Sequence, residues 1–233
     1  MRLGNFDEAN GMEHFPDAHR AGYAVYSKTS LAVYDALVLG VSNRLIWRCP
    51  SRHMIDLYNR HLSADHLDIG VGTGYFLDRA KFPASGPNVT LLDPNEHCLE
   101  KAADRIERYS PRLVQADALV PWPASLGSFG SIALNYVLHC LPGTMPEKAV
   151  IFDHLLPHLA EDGTVFGATI LQGDVPRSAA ARQLMRIYNR KGVFSNEHDT
   201  LEALEAELSR RFAVVEIKLI GCVALFSGKS PKT

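Results

Sequence analysis

The sequence has few of the features that announce metal, redox or membrane chemistry. Its 233 residues hold only four cysteines, Cys49, Cys98, Cys140 and Cys222, far apart and with no CxxC pair. That spacing argues against the usual zinc and dithiol sites and leaves reduced, buried thiols as the expectation. No apolar run reaches the ~20 residues that a membrane-spanning helix needs. The opening stretch MRLGNFDEANGMEHF is polar and lacks the apolar core of a signal peptide, so the expected compartment is cytoplasmic. There is no excess of charge of either sign: 24 Lys and Arg face 26 Asp and Glu, for a net charge of −2. A basic surplus that would draw nucleic acid or an anionic membrane is therefore missing, and neither partner is expected. Repeats and low-complexity tracts are absent too. What remains is 46% hydrophobic and 21% charged, the composition of a globular chain with a sizeable core.

Read along the chain, the apolar pattern alternates between strand and helix periods. A helix is expected from about Ser51, with Met54, Leu57, Tyr58 and Leu62 on one face. ADHLDIGV reads as the first strand and GYFLDRA as the start of a short helix. NVTLLDP is the second strand, and Pro94 opens a helix that aligns Leu99, Ala102, Ala103 and Ile106. RLVQAD is the third strand, and SIALNYVL is a fourth whose continuous apolar run suits burial on both sides. PEKAVIFDHLLPHLA reads as one helix. A turn at Asp162–Gly163 then leads into TVFGATIL, the fifth strand. Two more helices follow, over PRSAAARQLMRIYNRKG and HDTLEALEAELSRRF. The strands AVVEIKLI and CVALFSG, joined through Gly221, close the chain as an antiparallel pair. Seven strands alternating with helices imply an α/β fold, with a mostly parallel sheet between helices. No linker-like stretch divides the chain after residue 50. Residues 1–49 are expected to form an N-terminal arm and helical lid, and 50–233 the main domain.

The stretch HLDIGVGTGYF places Gly70, Gly72 and Gly74 directly after the first strand. Ligands of open α/β sheets sit at that point, and glycine there permits positive φ and removes the Cβ atoms that would block an approaching group. A dinucleotide fingerprint GxGxxG would need glycine where Tyr75 stands. Three acids refine the reading. Asp68, at the end of the strand, would repel a pyrophosphate but attract a cationic amino-acid moiety. Asp93 ends the second strand, where an acid accepts hydrogen bonds from ribose hydroxyls. Asp117 ends the third strand in QADAL, where an adenine edge would lie. Each could serve as a cap or turn residue. Three at successive strand ends of one sheet point to a nucleoside-bearing cation.

With these motifs, LDIGVGTGYF, LLDPN, QADAL, LNYVLHCLP and LAEDGTVFGATI, the chain from about residue 50 to 228 resembles the class I S-adenosylmethionine-dependent methyltransferases. The resemblance implies a Rossmann-like, doubly wound sheet of order 3-2-1-4-5-7-6 with an antiparallel last strand, and S-adenosyl-L-methionine as cofactor. It puts Asp68, Gly70, Gly72 and Gly74 near the methionine part, and Asp93, with Pro94 beside it, at the ribose. It puts Asp117 and the Ala118 backbone at the adenine, and Asn135 near the methyl donor. Asn135-Tyr136-Val137-Leu138 lacks the prolines of nucleic-acid amino-methyltransferases. No cluster of acids for Mg²⁺ is visible, and His154 and His158, with Pro157 between them, make a poor zinc pair, so no metal is expected.

Methyl transfer from a sulfonium needs alignment of the acceptor and, for some acceptors, removal of a proton. His139, directly after the fourth strand, is the candidate base, since a free imidazole titrates near working pH. The competing reading has it packing beneath the cofactor. Tyr23, Tyr26 and Tyr34 are candidates to line or close the pocket, and Arg182, Arg186 and Tyr188 to face substrate or solvent. The reading is thus a methyltransferase acting on a small molecule. A non-catalytic adenosylmethionine-binding regulator and, behind it, an NAD-dependent oxidoreductase stand as alternatives.

Overall fold

A computed structural model describes residues 42–232. Tyr23, Tyr26 and Tyr34, and most of the expected lid, lie outside the described residues. The chain ahead of the first regular helix makes a short π-helical turn over 42–46 and then packs inward. Trp47 and Cys49 are fully buried, and the Trp47 carbonyl accepts the Cys222 N–H at 3.1 Å. Residues 42–49 are therefore built into the main body, not set apart from it.

Helix α1 (Arg52–His61) buries Met54, Leu57 and Tyr58, the face its apolar spacing marks. Strand β1 (Asp65–Ile69), helix α2 (Tyr75–Arg79) and strand β2 (Asn88–Asp93) follow. Helix α3 spans Glu96–Arg105 and starts later than expected. Its cap is Asn95, whose side chain accepts the His97 N–H, and Pro94 stays outside the first turn. Strand β3 (Arg112–Gln115) leads to β4 (Phe129–Asn135). The fourth strand ends at Asn135, short of the expected YVL, because Tyr136 adopts a left-handed φ of 63° that no strand can continue. The expected single helix after it is divided into α4 (Met145–Lys148), α5 (Val150–Leu155) and a closing 3₁₀ turn. Pro157 lies in that turn, where its missing N–H rules out a continued helical ladder.

Strand β5 (Leu159–Ile170) starts earlier than expected. Leu159 pairs with Phe129, and the register then slips so that Thr164 pairs with Ser131; Asp162–Gly163 is thus an irregularity inside the strand rather than its start. Helices α6 (Ala179–Arg190) and α7 (Leu201–Arg211) carry Ser178 and Thr200 as N-caps. Strands β6 (Phe212–Ile220) and β7 (Val223–Pro231) form the closing antiparallel pair. Gly221 turns between them at φ 60°, and a Cβ there would stand 2.1 Å from the Trp47 carbonyl oxygen.

The seven strands lie in the order β3-β2-β1-β4-β5-β7-β6, with β7 antiparallel to both neighbours and the remaining pairs parallel. This is the order that the family resemblance implies. Consecutive residues of β1, β2 and β4 are buried, so both faces of the central sheet are covered. The chain runs outward from β1 through β2 to β3, then returns to place β4 on the other side of β1. That reversal opens a crevice at the carboxyl ends of β1 and β4.

Candidate active site

The crevice is a cleft whose polar floor comes from strand ends. Asp68, Gly70, Gly72 and Gly74 line it from β1 and its loop, Asp93 and Pro94 from β2, Ala118 from beyond β3, and Asn135 from β4. These are eight of the nine expected cofactor residues. The ninth, Asp117, does not line the cleft: it is buried and its Oδ1 accepts the Leu119 N–H at 2.8 Å, while its carbonyl accepts the Trp122 indole N–H.

The glycine loop is shaped by two different demands. All three glycines have positive φ, between 52° and 69°. A Cβ on Gly74 would meet the Ala102 backbone at 3.0 Å, so this glycine lets α2 and α3 approach. At Gly72 nothing lies within 4 Å, so the missing side chain leaves open space in the cleft.

Asp93 is 6% exposed, and burial pushes its pKa up to about 7, opposed by the backbone N–H groups of Asn95, Val71 and Gly72 that donate to it. The carboxylate thus ties the glycine loop to the end of β2. Asp68 is held by the Tyr58 hydroxyl, which donates to its Oδ2 at 2.9 Å. Asn135 is 7% exposed, and neither its Nδ2 nor its Oδ1 has a hydrogen-bond partner among the described residues. A buried amide with nothing to bond to is costly unless a ligand completes it. Open space at Gly72, two acids and an orphaned amide in one cleft fit a cationic nucleoside.

Much of the remaining lining is apolar or aromatic, with Tyr58, Phe76, Tyr136, Leu141, Pro142 and Val193 among it. Tyr58 and Phe76 stack at 5.9 Å, and Phe76 meets Tyr136 edge-on at 6.4 Å. Sequence reasoning assigned Tyr58 to the core and did not single out Tyr136. A clue to Tyr58 was available, because a buried tyrosine hydroxyl requires a partner. Tyr136 gave no such clue, since its left-handed backbone is visible only in the fold.

His139 does not line the cleft, which corrects its assignment as a base. It is 3% exposed, its Nδ1 accepts the Ile170 N–H at 3.2 Å, and its ring packs edge-on against Phe194 at 4.6 Å and Tyr136 at 5.4 Å. Burial, with Lys148 nearby, lowers its pKa to about 3. Cys140 does line the cleft, but burial raises its thiol to about 12, so it stays protonated. Arg182 and Arg186 bond to Arg177 and Gln183 on the exposed side of α6, and Tyr188 packs on Phe194. His154 and His158 contact the carbonyls of Ala118 and Gly127, and no group of three or more metal-binding side chains occurs among the described residues. No helix among them is long and apolar enough to cross a membrane.

Residues 67–165 match the family described as a methyltransferase domain. The chain is 37% identical over 205 residues to a demethylluteothin O-methyltransferase of Streptomyces thioluteus, covering 88% of this chain and 89% of that one. It is 37% identical over 213 residues to a physcion biosynthesis cluster O-methyltransferase of Aspergillus chevalieri, covering 91% and 96%. Among solved structures, the N-methyltransferase NodS of Bradyrhizobium japonicum WM9 in complex with S-adenosyl-L-homocysteine superposes with a TM-score of 0.59 at 16% identity, covering 88% of this chain and 98% of that one. At that identity the likeness is one of fold.

Proposed function

The chain belongs to the class I S-adenosylmethionine-dependent methyltransferases and acts on a small molecule, and from that premise we propose that its acceptor is a hydroxyl oxygen on a flat, apolar, secondary-metabolite ring. When bound, adenosylmethionine supplies an electrophilic methyl group on a sulfonium. In this reading Asp68 takes the ammonium of its methionine part, Asp93 the ribose hydroxyls, and the Ala118 backbone the adenine edge. Asp117 acts one step back, holding the loop that carries Ala118. Asn135 stands beside the reacting centre. Residues 1–41 serve as the lid in this reading, and the stretch that joins them to the main body is held where the Tyr136 hydroxyl donates to Asn43 Oδ1 at 3.0 Å.

The observation that carries the acceptor assignment is the orphaned Asn135 amide next to aromatic walls. An amide offers one donor and one acceptor face, the complement of a hydroxyl, which needs both. The aromatic walls suit a flat ring, and both named relatives are O-methyltransferases. Among the described residues no histidine or lysine lines the cleft. Catalysis then rests on alignment and on excluding water, and the acceptor's own acidity governs its ionisation.

The test is methyl transfer from labelled adenosylmethionine to matched phenols, anilines and thiophenols on one ring scaffold, with products identified by mass. Transfer to the phenols is expected, at a rate that rises with pH and with the acidity of the phenol. Transfer to the anilines with none to the phenols would overturn the oxygen assignment.

A further inference from the structure

Asp68 does not stand alone at the end of β1. His66, two residues earlier on the same face of the strand, is completely buried, and its Nε2 lies 3.7 Å from Asp68 Oδ2. That is too long for a hydrogen bond, yet Nε2 has no other partner among the described residues. The opposite ring nitrogen, Nδ1, lies 2.8 Å from Ser131 Oγ on β4.

The serine contacts decide which nitrogen carries the proton. Ser63 Oγ donates to the Asp65 carbonyl at 2.6 Å, so its hydrogen is committed. The Ser63 N–H donates to Ser131 Oγ at 2.9 Å, so Ser131 is already an acceptor there. The Ser131 hydrogen is left to go to Ser63 Oγ, at 3.0 Å, or to His66 Nδ1. If it went to Ser63, Nδ1 would have to be the donor, and a lone pair on Nε2 would face a carboxylate in the buried interior. If it goes to His66, the N–H sits on Nε2 and its dipole points at Asp68. Electrostatics in a low-dielectric interior selects the second arrangement.

We infer that His66 is a positioning residue for the cofactor's amino-acid end: with Tyr58 it fixes Asp68 through Oδ2 and leaves Oδ1 turned to the cleft for an ammonium group. The inference rests on the assignment of Asp68 above and deepens it. Tyr58 supplies the short bond at 2.9 Å and His66 a second, electrostatic hold on the same oxygen. Phe166 packs against both rings, with centroids 5.1 Å from Tyr58 and 6.0 Å from His66, and so keeps their separation fixed.

The experiment compares binding of two nucleosides by calorimetry. Adenosylhomocysteine carries the amino-acid end; 5′-methylthioadenosine shares the adenosine and the sulfur but lacks it. In His66→Leu the Kd for adenosylhomocysteine should rise roughly 3- to 10-fold, a loss of the order expected for one indirect polar contact, while the Kd for methylthioadenosine stays the same. His66→Gln, which restores a donor, should recover most of the ratio. A purely structural role would instead move the melting temperature alone, or weaken both ligands alike, and either result would overturn the inference. Should His66→Leu fail to fold, Ser131→Ala tests the same chain of contacts; an unchanged ratio there would overturn it too. Failure of the wild-type protein to prefer adenosylhomocysteine over methylthioadenosine would count against the Asp68 assignment itself, a separate outcome.

Discussion

Asp93 and His139 are both buried titratable side chains near the carboxyl edge of the sheet, and burial moves them in opposite directions. A carboxyl raised to about 7 binds its proton more tightly folded than unfolded, so its burial costs stability as pH rises from about 4 through about 7. Ribose hydroxyls donate to a carboxylate, so cofactor binding favours the ionised form. Affinity for adenosylhomocysteine should therefore climb between about pH 5.5 and 7.5 and then level off, with proton release on binding below pH 7. Calorimetry in two buffers of different ionisation enthalpy measures both. Asp93→Asn should flatten the profile and cost about 1.5–3 kcal/mol of binding; an unaltered profile would remove Asp93 from the ribose site. His139, lowered to about 3, is neutral when folded, so its share of stability is present above about pH 6.5 and is lost as pH falls toward 3. His139→Gln should cost about 1–3 kcal/mol in urea unfolding, through the lost Ile170 contact and poorer packing on Phe194. The pH profile of methyl transfer should stay as in the wild type. Loss of an acidic limb in the variant would restore His139 as a base.

The loop from β1 to α2 divides its glycines between folding and binding, and the division can be tested. In Gly74→Ala the new methyl meets backbone of α3, which has no rotamer to give way, at a φ of 69°. A loss of about 2–4 kcal/mol is expected, read as a lower urea midpoint. Gly72→Ala meets nothing within 4 Å, so only the cost of the left-handed backbone remains, about 1–2 kcal/mol. Its methyl projects into open space of the cleft, and adenosylhomocysteine affinity should fall by about tenfold or more, a loss of about 1.4 kcal/mol or more in binding in addition to the folding cost. If Gly72→Ala binds as the wild type does, the ligand does not approach the loop at that point.

At the scale of the whole molecule, one rim of the cleft depends on a distant ion pair. Gly192 and Val193 line the cleft from the segment after α6. That segment is pinned by Lys148 on α4, fully buried, whose ammonium bonds to both oxygens of Asp199 at 2.7 and 2.8 Å and to the Ser195 carbonyl. Asn196 adds a bond from its Nδ2 to the Ile170 carbonyl at 2.9 Å. Burial pushes Lys148 down and Asp199 up, each toward its neutral form, and each charge opposes the shift of the other. Lys148→Met strands a buried carboxylate and should cost about 3–5 kcal/mol, whereas Lys148→Met with Asp199→Leu should recover most of it. Urea unfolding of the two variants decides; equal losses would mean that the stranded carboxylate is not what Lys148→Met costs.

The succession of elements and the strand-end lining of the cleft were legible in the sequence, because both depend on local chemistry. A strand that must be buried on both faces reads as continuous apolar residues, as in IALN of β4. A loop that leaves open space beside its backbone reads as glycine, and the acids at two strand ends that line the cleft read as Asp68 and Asp93. The tertiary structure alone decided what depends on residues distant in the chain. Asn135 and Asp117 both sit near strand ends, yet only Asn135 meets the cleft, whereas Asp117 bonds to the backbone two residues on. His139 follows β4 as a base would, but the left-handed turn at Tyr136 precedes it and the backbone of β5 takes its Nδ1. Tyr58 and His66 look like core residues of a helix and a strand until the packing of α1 beside β1 brings them to one carboxylate oxygen. Local patterns specify where a backbone can go and which faces are buried. Which buried polar groups then meet is set by the register of strands and the packing of helices, and a hydrogen bond between residues 65 positions apart leaves no local trace.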